Sequence, residues 1–255
     1  MVEKFKKYQF LFEELVKRDF KQKYKRTVLG MAWSVLSPLL TLFVMKIIFT
    51  QFFGRDTPNY TTYLFSGTLI MSYFRESTRG GMNALMANSR IFSKINVPKY
   101  IFVLSKNVSS LVNFVIILAV YFFFCALDKI HFGIHMVSLI FPVLCLLIFN
   151  IGIGMFLSAM YVFFRDMQYL YDVFLTLLQY ASAIFYTIDS FPQAFQNIFL
   201  CNPVYCYIKY FRTVVIHGVL PPAWFHLLCA GYALVSIGIG TYVYRKYNHK
   251  FLYYV

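Results

Sequence analysis

Acidic residues are scarce: ten Asp and Glu stand against 24 Lys and Arg, and charged residues together make up only 13% of the 255 positions. Soluble domains carry about a quarter. With so few carboxylates the apolar segments hold no series of buried acids for proton coupling. No G-x-x-x-x-G-K-[ST] phosphate loop is present, so the chain does not bind and hydrolyse ATP in the usual way by itself. D-x-D, H-E-x-x-H and G-x-S-x-G are also missing, which removes the readily recognised glycosyltransferases, metalloproteases and serine hydrolases. Cysteine is sparse and odd in number, five in all, so there is no disulfide framework. Cys125, Cys145 and Cys229 lie in apolar runs as core residues. Cys201 and Cys206 are five apart and leave a bridge or two free thiols open, with no metal-ligand spacing beside them.

What is present is apolar surface: 60% hydrophobic and 21% aromatic residues, with a mean hydropathy of +0.62. This is the composition of a polytopic, all-α membrane protein. The net charge of +14 does not point to nucleic acid, because no basic helical face stands apart from an apolar segment. The cations flank apolar runs, where topology and anionic lipids account for them.

Residues 19–40, DFKQKYKRTVLGMAWSVLSPLL, pass from a basic segment with Lys21, Lys23, Lys25 and Arg26 into an apolar run. Some thirty polar and amphipathic residues before that run argue against a cleavable signal. Residues 1–28 read as an amphipathic interface segment, with Phe5, Tyr8, Phe12, Leu15 and Val16 on one helical side. It serves either as an anchor alone or also as a surface for a cytoplasmic partner. Residues 29–255 form a six-span domain with spans at about 29–53, 60–80, 100–127, 136–164, 170–188 and 224–244. Both termini are cytoplasmic on this layout, which leaves 19 of the 24 Lys and Arg inside. Arg55, Lys129, Lys209 and Arg212 fall outside.

Several places break the apolar pattern. Pro38 is expected to kink span one, and Lys46 lies inside it, about 10 Å from its far end. Lys46 either snorkels to the interface or lines a pore. The apolar run of span two stops at Phe74, and Arg75, Glu76 and Arg79 follow, with Glu76 and Arg79 neighbours on a helix. The polar stretch from Gly80 to Pro98 predicts a short cytoplasmic helix. Gly154 and Ser158 have small-xxx-small spacing for close helix approach. His131 and His135 read as loop residues. Between spans five and six, a Pro-rich segment predicts amphipathic half-helices in the outer leaflet.

The motif DFKQKYKRTVLGMAWSVLSPLL, the segment NALMANSRIFSKINVPKYI, the turn FFRDMQYL and the loop beginning IDSFPQ together resemble the membrane subunits of type-2 ABC exporters for polysaccharides. O-antigen, teichoic-acid and capsule permeases form that family. The resemblance spans nearly the whole chain and implies a permease, not an enzyme, in a bacterial cytoplasmic (inner) membrane. It implies a second copy of the chain and two copies of a separate Walker-A ATPase, which carries ATP and Mg. The cargo would be a lipid-linked polysaccharide.

By the same resemblance the N-terminal helix matches residues 3–26 and a coupling helix matches about 83–94. Both would meet the ATPase, through Glu13 and Lys17 and through Asn83, Asn88, Ser89, Arg90, Ile91, Phe92 and Lys94. Arg75-Glu76 stands where the family carries apolar or small residues. Short outer helices match residues 191–219, with Phe191, Phe195, Phe199, Tyr205 and Tyr210 at an outer gate. Sugars stack their CH faces on aromatic rings, and a lone cation holds a phosphate. Phe49, Phe52, Phe53, Tyr60 and Tyr63, with Tyr180, Phe185 and Tyr186, are thus candidates for a glycan channel beside Lys46; an ordinary aromatic belt is the alternative. A drug or lipid exporter of the same fold, or an enzyme on lipid-linked sugars using Asp166, Asp172 and Asp189, are the competing functions.

Overall fold

The computed structural model describes residues 2–24, 27–53, 59–188, 191–252 and 254; for residues 2–7, 23–24 and 50–53 it describes the backbone only. The described residues form ten α-helices and three short 3₁₀ turns, with no strand. The helices are α1 (Val2–Tyr24), α2 (Trp33–Phe53), α3 (Tyr60–Ala87), α4 (Ser89–Phe92) and α5 (Tyr100–Leu127). They continue as α6 (Ile140–Phe163), α7 (Met167–Ala181), α8 (Gln193–Phe199), α9 (Pro203–Val215) and α10 (Ala223–Tyr247). Four segments among the described residues are long and apolar enough to cross a membrane: Gly30–Phe49, Tyr100–Leu127, Ile134–Phe163 and Ala223–Tyr247.

Helix α6 packs against α3, α5 and α10. Its small residues are aimed at two neighbours at once. A Cβ on Gly152 would lie 2.3 Å from the Ser236 backbone of α10, and one on Gly81 of α3 would lie 2.8 Å from Gly154 Cα. Only hydrogen fits at such approaches, which bring backbones close enough for dense dispersion contact in a solvent that supplies no hydrophobic drive. Polar pairs then fasten the seams: Ser236 Oγ donates to Phe149 O at 2.7 Å, and Tyr244 Oη donates to Ser158 Oγ at 3.1 Å. Ser158 thus belongs to the α10 seam, while Gly154 faces α3.

Two boundaries differ from the sequence reading. Helix α3 does not end near residue 80 but runs unbroken to Ala87, 28 residues in all. Arg75 and Glu76 therefore sit mid-helix, where polar neighbours hold them. The fifth apolar segment is not one helix to residue 188, because α7 stops at Ala181 after 15 residues. Ser182 Oγ donates back to Leu178 O at 2.7 Å, Asn202 Nδ2 donates to Ala181 O at 3.2 Å, and Ala183 takes φ +48°. Side-chain competition for the last carbonyls and a left-handed residue end the helix there. Helix α2 continues through Pro38. Cys201 and Cys206 are separate thiols, the first exposed and the second buried.

Candidate functional site

Helix α3 carries a polar stripe, Thr68, Ser72, Glu76 and Arg79, at helical spacing on one face. Two adjoining cavities open along it. One, of about 490 Å³, lies between α2, α3 and α5 and is lined by Ser34, Ser37 and Thr41 opposite the stripe, with Trp33 at its side and Asn113 behind. The other, of about 420 Å³, lies between α2, α3 and α7 and adds Arg75 and Gln179. Thr41, Thr68, Ser72 and Glu76 line both, so they form one hydroxyl-rich passage.

The charged residues along the passage are fixed by neighbours. Arg75 donates to Gln179 Oε1 of α7 at 2.6 Å, and Arg79 forms an ion pair with Asp172 of α7. Glu76 accepts from Asn113 Nδ2 of α5 at 2.9 Å. Tyr171 Oη of α7 donates to Thr78 Oγ1 at 2.6 Å. The expected Glu76 and Arg79 neighbours thus reach outward to different helices, and they tie α3 to α5 and α7. Residues that looked like a break in a span are what a polar-walled helix requires.

At the far end of the passage the candidate aromatics do converge. Phe49 of α2 stacks on Phe185 with ring centroids 4.6 Å apart and planes 19° apart, and Tyr180 lies 5.8 Å from Phe185. Tyr60 Oη donates to Phe185 O at 2.8 Å, Tyr63 Oη to Tyr186 O at 2.7 Å, and Tyr186 Oη to Tyr180 O at 2.9 Å. These hydroxyls cap the carbonyls of the irregular return after α7. Tyr60 and Phe185 are enclosed and Tyr180 is exposed, and none of these aromatics is among the residues lining the passage. Lys46 lies on the exposed outer side of α2, apart from the residues lining the passage. The side chains of Phe52 and Phe53, and Arg55 and Asp189, lie outside the described residues.

The outer-gate residues separate into two groups. Phe191 and Phe199 each place their rings 6.4 Å from Tyr186, and Phe195 is exposed on α8. Tyr205 and Tyr210 are buried on α9, and Tyr210 Oη is hydrogen-bonded to His226 Nε2 of α10 at 2.8 Å. Neither ring reaches an outer surface, because α9 is packed inside the bundle rather than laid on it.

The residue that organises this end was assigned to the outer surface from sequence. Arg212 of α9 is 6% exposed. Its guanidinium donates to Ser66 Oγ at 3.2 Å, Ala183 O at 2.8 Å, Tyr63 O at 3.2 Å and Ile184 O at 3.1 Å, and it stacks 3.4 Å from the Tyr63 ring centroid. One planar fork therefore joins α3, α9 and the return after α7. The available signal was a cation in an apolar, aromatic segment, which charge counting treated as solvated together with Lys209.

The opposite end presents the candidate partner surface. The predicted helix over 83–94 is not a separate element: Asn83 belongs to α3, the chain breaks at Asn88, and α4 is a single turn. Asn88 Nδ2 donates to Ala84 O at 2.8 Å while its Oδ1 accepts from Arg18 of α1 at 2.8 Å. Asn88 and Phe92 are buried and hold the bend together, so they do not offer side chains outward. Asn83, Arg90 and Lys94 are exposed, and Ser89 and Ile91 are half-buried. Glu13 and Lys17 are exposed on α1 beside them, with Lys17 paired to Glu14 at 3.0 Å. The apolar face of α1 meets protein: Leu15 is buried against α3 to α5, with Tyr8 and Phe12 packed beside it. Asp19 holds the helix down through Lys106 at 3.0 Å and Arg18 at 2.9 Å.

Comparison with known proteins fits a helical membrane protein. The model of the ABC-2 type transporter family matches residues 11–216. The chain belongs to the ABC-2 type transporter family. Within it, the chain is 28% identical to an O-antigen export system permease protein RfbA of Klebsiella pneumoniae over 94% of each chain. A protein of the same name from Myxococcus xanthus is 26% identical over 98% of this chain and 97% of the relative. The polysialic acid transport protein KpsM of Escherichia coli is 23% identical over 94% of each. An ABC-2 chain of this kind is an all-helical transporter subunit, and the match with these permeases runs over nearly its whole length.

Proposed function

We propose that this chain is the permease subunit of an ABC exporter that moves a lipid-linked polysaccharide out of the cytoplasm. The observation that carries the reading is the hydroxyl-rich passage along α3, in a chain that aligns end to end with both O-antigen and polysialic acid permeases. A glycan needs many weak, orientable hydrogen bonds and flat rings, not a tight ionic site. Ser34, Ser37, Thr41, Thr68 and Ser72 supply the first, and Trp33 the second.

The working unit is two copies of this chain with two ATPase subunits, which bind ATP and Mg. Each copy crosses the inner membrane six times, by α2, α3, α5, α6, α7 with its return, and α10, and keeps both termini inside. Residues 1–28 form the interface region and 29–255 the transmembrane domain. Glu13, Lys17, Asn83, Arg90 and Lys94 meet the ATPase, while α8 with Phe191, Phe195 and Phe199 borders the exit.

Replacing Arg90 and Lys94 by Glu tests the partner surface, since both are exposed and the fold does not depend on them. The expected result is folded permease at the normal level with surface polysaccharide lost and the co-purifying ATPase reduced. Undiminished export would remove this surface from the interface.

A further inference from the structure

A crevice of about 520 Å³ between α5, α6 and α10 shares no residue with the passage along α3. Its walls are mainly apolar, with Tyr100 and Leu104 from α5, Ile151 and Met155 from α6, and Ile237 and Tyr244 from α10. One end is cationic, formed by Lys99 just before α5 and Arg245 in the last turn of α10.

Lys99 is unusual in being 8% exposed. Its ammonium donates to Asn248 O and lies 6.0 Å from the Phe92 ring and 5.6 Å from the Phe251 ring. Among the described residues no carboxylate lies within ion-pair distance of it, although the group has three protons to donate. A buried charge with no counter-charge is costly, and burial draws this ammonium below the ordinary lysine range. Arg245 stands exposed on the same crevice. An apolar slot between helices that ends in two cations at the membrane boundary complements a molecule with an aliphatic chain and a phosphate.

We propose that this crevice binds an anionic phospholipid of the cytoplasmic leaflet, its phosphate between Lys99 and Arg245 and one acyl chain along Leu104, Ile151, Met155 and Ile237. The choice of leaflet rests on the six-crossing orientation above. The occupant is a membrane lipid rather than the lipid carrier of the cargo, because the crevice is separate from the hydroxyl-rich passage. Through Lys99 the head group would brace Phe92 of α4 and the C-terminal turn, directly behind the partner-facing surface.

The test is native mass spectrometry of the purified full-length protein, titrated separately with phosphatidylglycerol, phosphatidylethanolamine and a polyprenyl diphosphate. Phosphatidylglycerol should bind about tenfold more tightly than phosphatidylethanolamine, because both lipids offer a phosphate but the ammonium of the latter is repelled by the two cations. Lys99→Met combined with Arg245→Gln should abolish that preference. Should the double variant fail to fold, Arg245→Gln alone alters an exposed residue and should lower the preference about threefold. Leu104→Trp, which fills the slot and leaves both cations, should weaken binding of phosphatidylglycerol. Equal binding of the two phospholipids, or an unchanged preference in Arg245→Gln and unchanged binding in Leu104→Trp, would overturn the proposal. Stronger binding of the polyprenyl diphosphate than of phosphatidylglycerol would also overturn it, by giving the crevice to the cargo. Lipid binding is read without export, so a protein that fails in export but keeps the preference overturns the exporter reading alone.

Discussion

Helices α6 and α2 are both apolar and long enough to span a bilayer, yet they are held in opposite ways. Helix α6 presses glycine against two neighbours and buries residues along its whole length. On α2, Leu42 and Ser34 are buried among the described side chains, while Leu40, Phe43, Val44, Ile47 and Ile48 are exposed. Both are apolar; what differs is glycine, present on α6 and absent from α2, which admits a neighbouring backbone. The bundle around α6 is therefore a dense block. Helix α2 is a wall set against it across a polar passage, its outer face free for lipid or a second copy.

The largest expected effect breaks the block at its outer clasp. Arg212→Met removes four hydrogen bonds from a buried guanidinium to neutral oxygens and leaves Ile184 O without this donor, and should cost about 3–5 kcal/mol, as several losses of about 1 kcal/mol or more each. A thermal melt of the detergent-purified protein would register it. Arg212→Lys should restore part of the loss, since a point charge cannot reproduce the planar fork. At the inner seam, Gly152→Leu forces α6 away from α10 and should cost about 1–3 kcal/mol in the same melt. Gly238→Leu on the open side of α10, where nothing lies within 4 Å of a Cβ, is the control and should not lower the melting temperature. On the loose side, Phe49→Ala removes the stack on Phe185 and should cost about 0.5–1.5 kcal/mol. It should also speed modification of a cysteine placed at Thr41, measured by the rate of maleimide labelling. Lys46→Met, on the exposed face of α2, should stay within about 0.5 kcal/mol of the parent. A large loss there would mean that the outer face of α2 is already occupied.

Part of the packing was legible because it depends on local composition. The channel-candidate aromatics with described side chains converge around Phe185, and the small residues of α6 are packing contacts. The depth of α3 was not legible, because a hydropathy pattern treats Arg75 and Glu76 as a boundary. It cannot register that Gln179 and Asn113, 104 and 37 residues away, accept and donate there. The end of α7 was hidden for a similar reason: Ser182 is followed by apolar residues, and the stop depends on Asn202 just before α9 and Arg212 within it. Asn88 and Phe92 looked like surface in a polar stretch, yet α1 packs over that bend and encloses them.

The sequence by itself determined that the chain is helical, membrane-embedded and without an ATP-binding loop of its own. Those properties follow from residue types summed over windows longer than a helix turn. Only the tertiary structure decided which cations are buried clasps and which are exposed, where α7 ends, and which polar residues share one passage. Each of those outcomes is a pairing between distant segments. A polar group in an apolar surround takes whatever partner the packing brings within reach, and sequence order does not say which one that is.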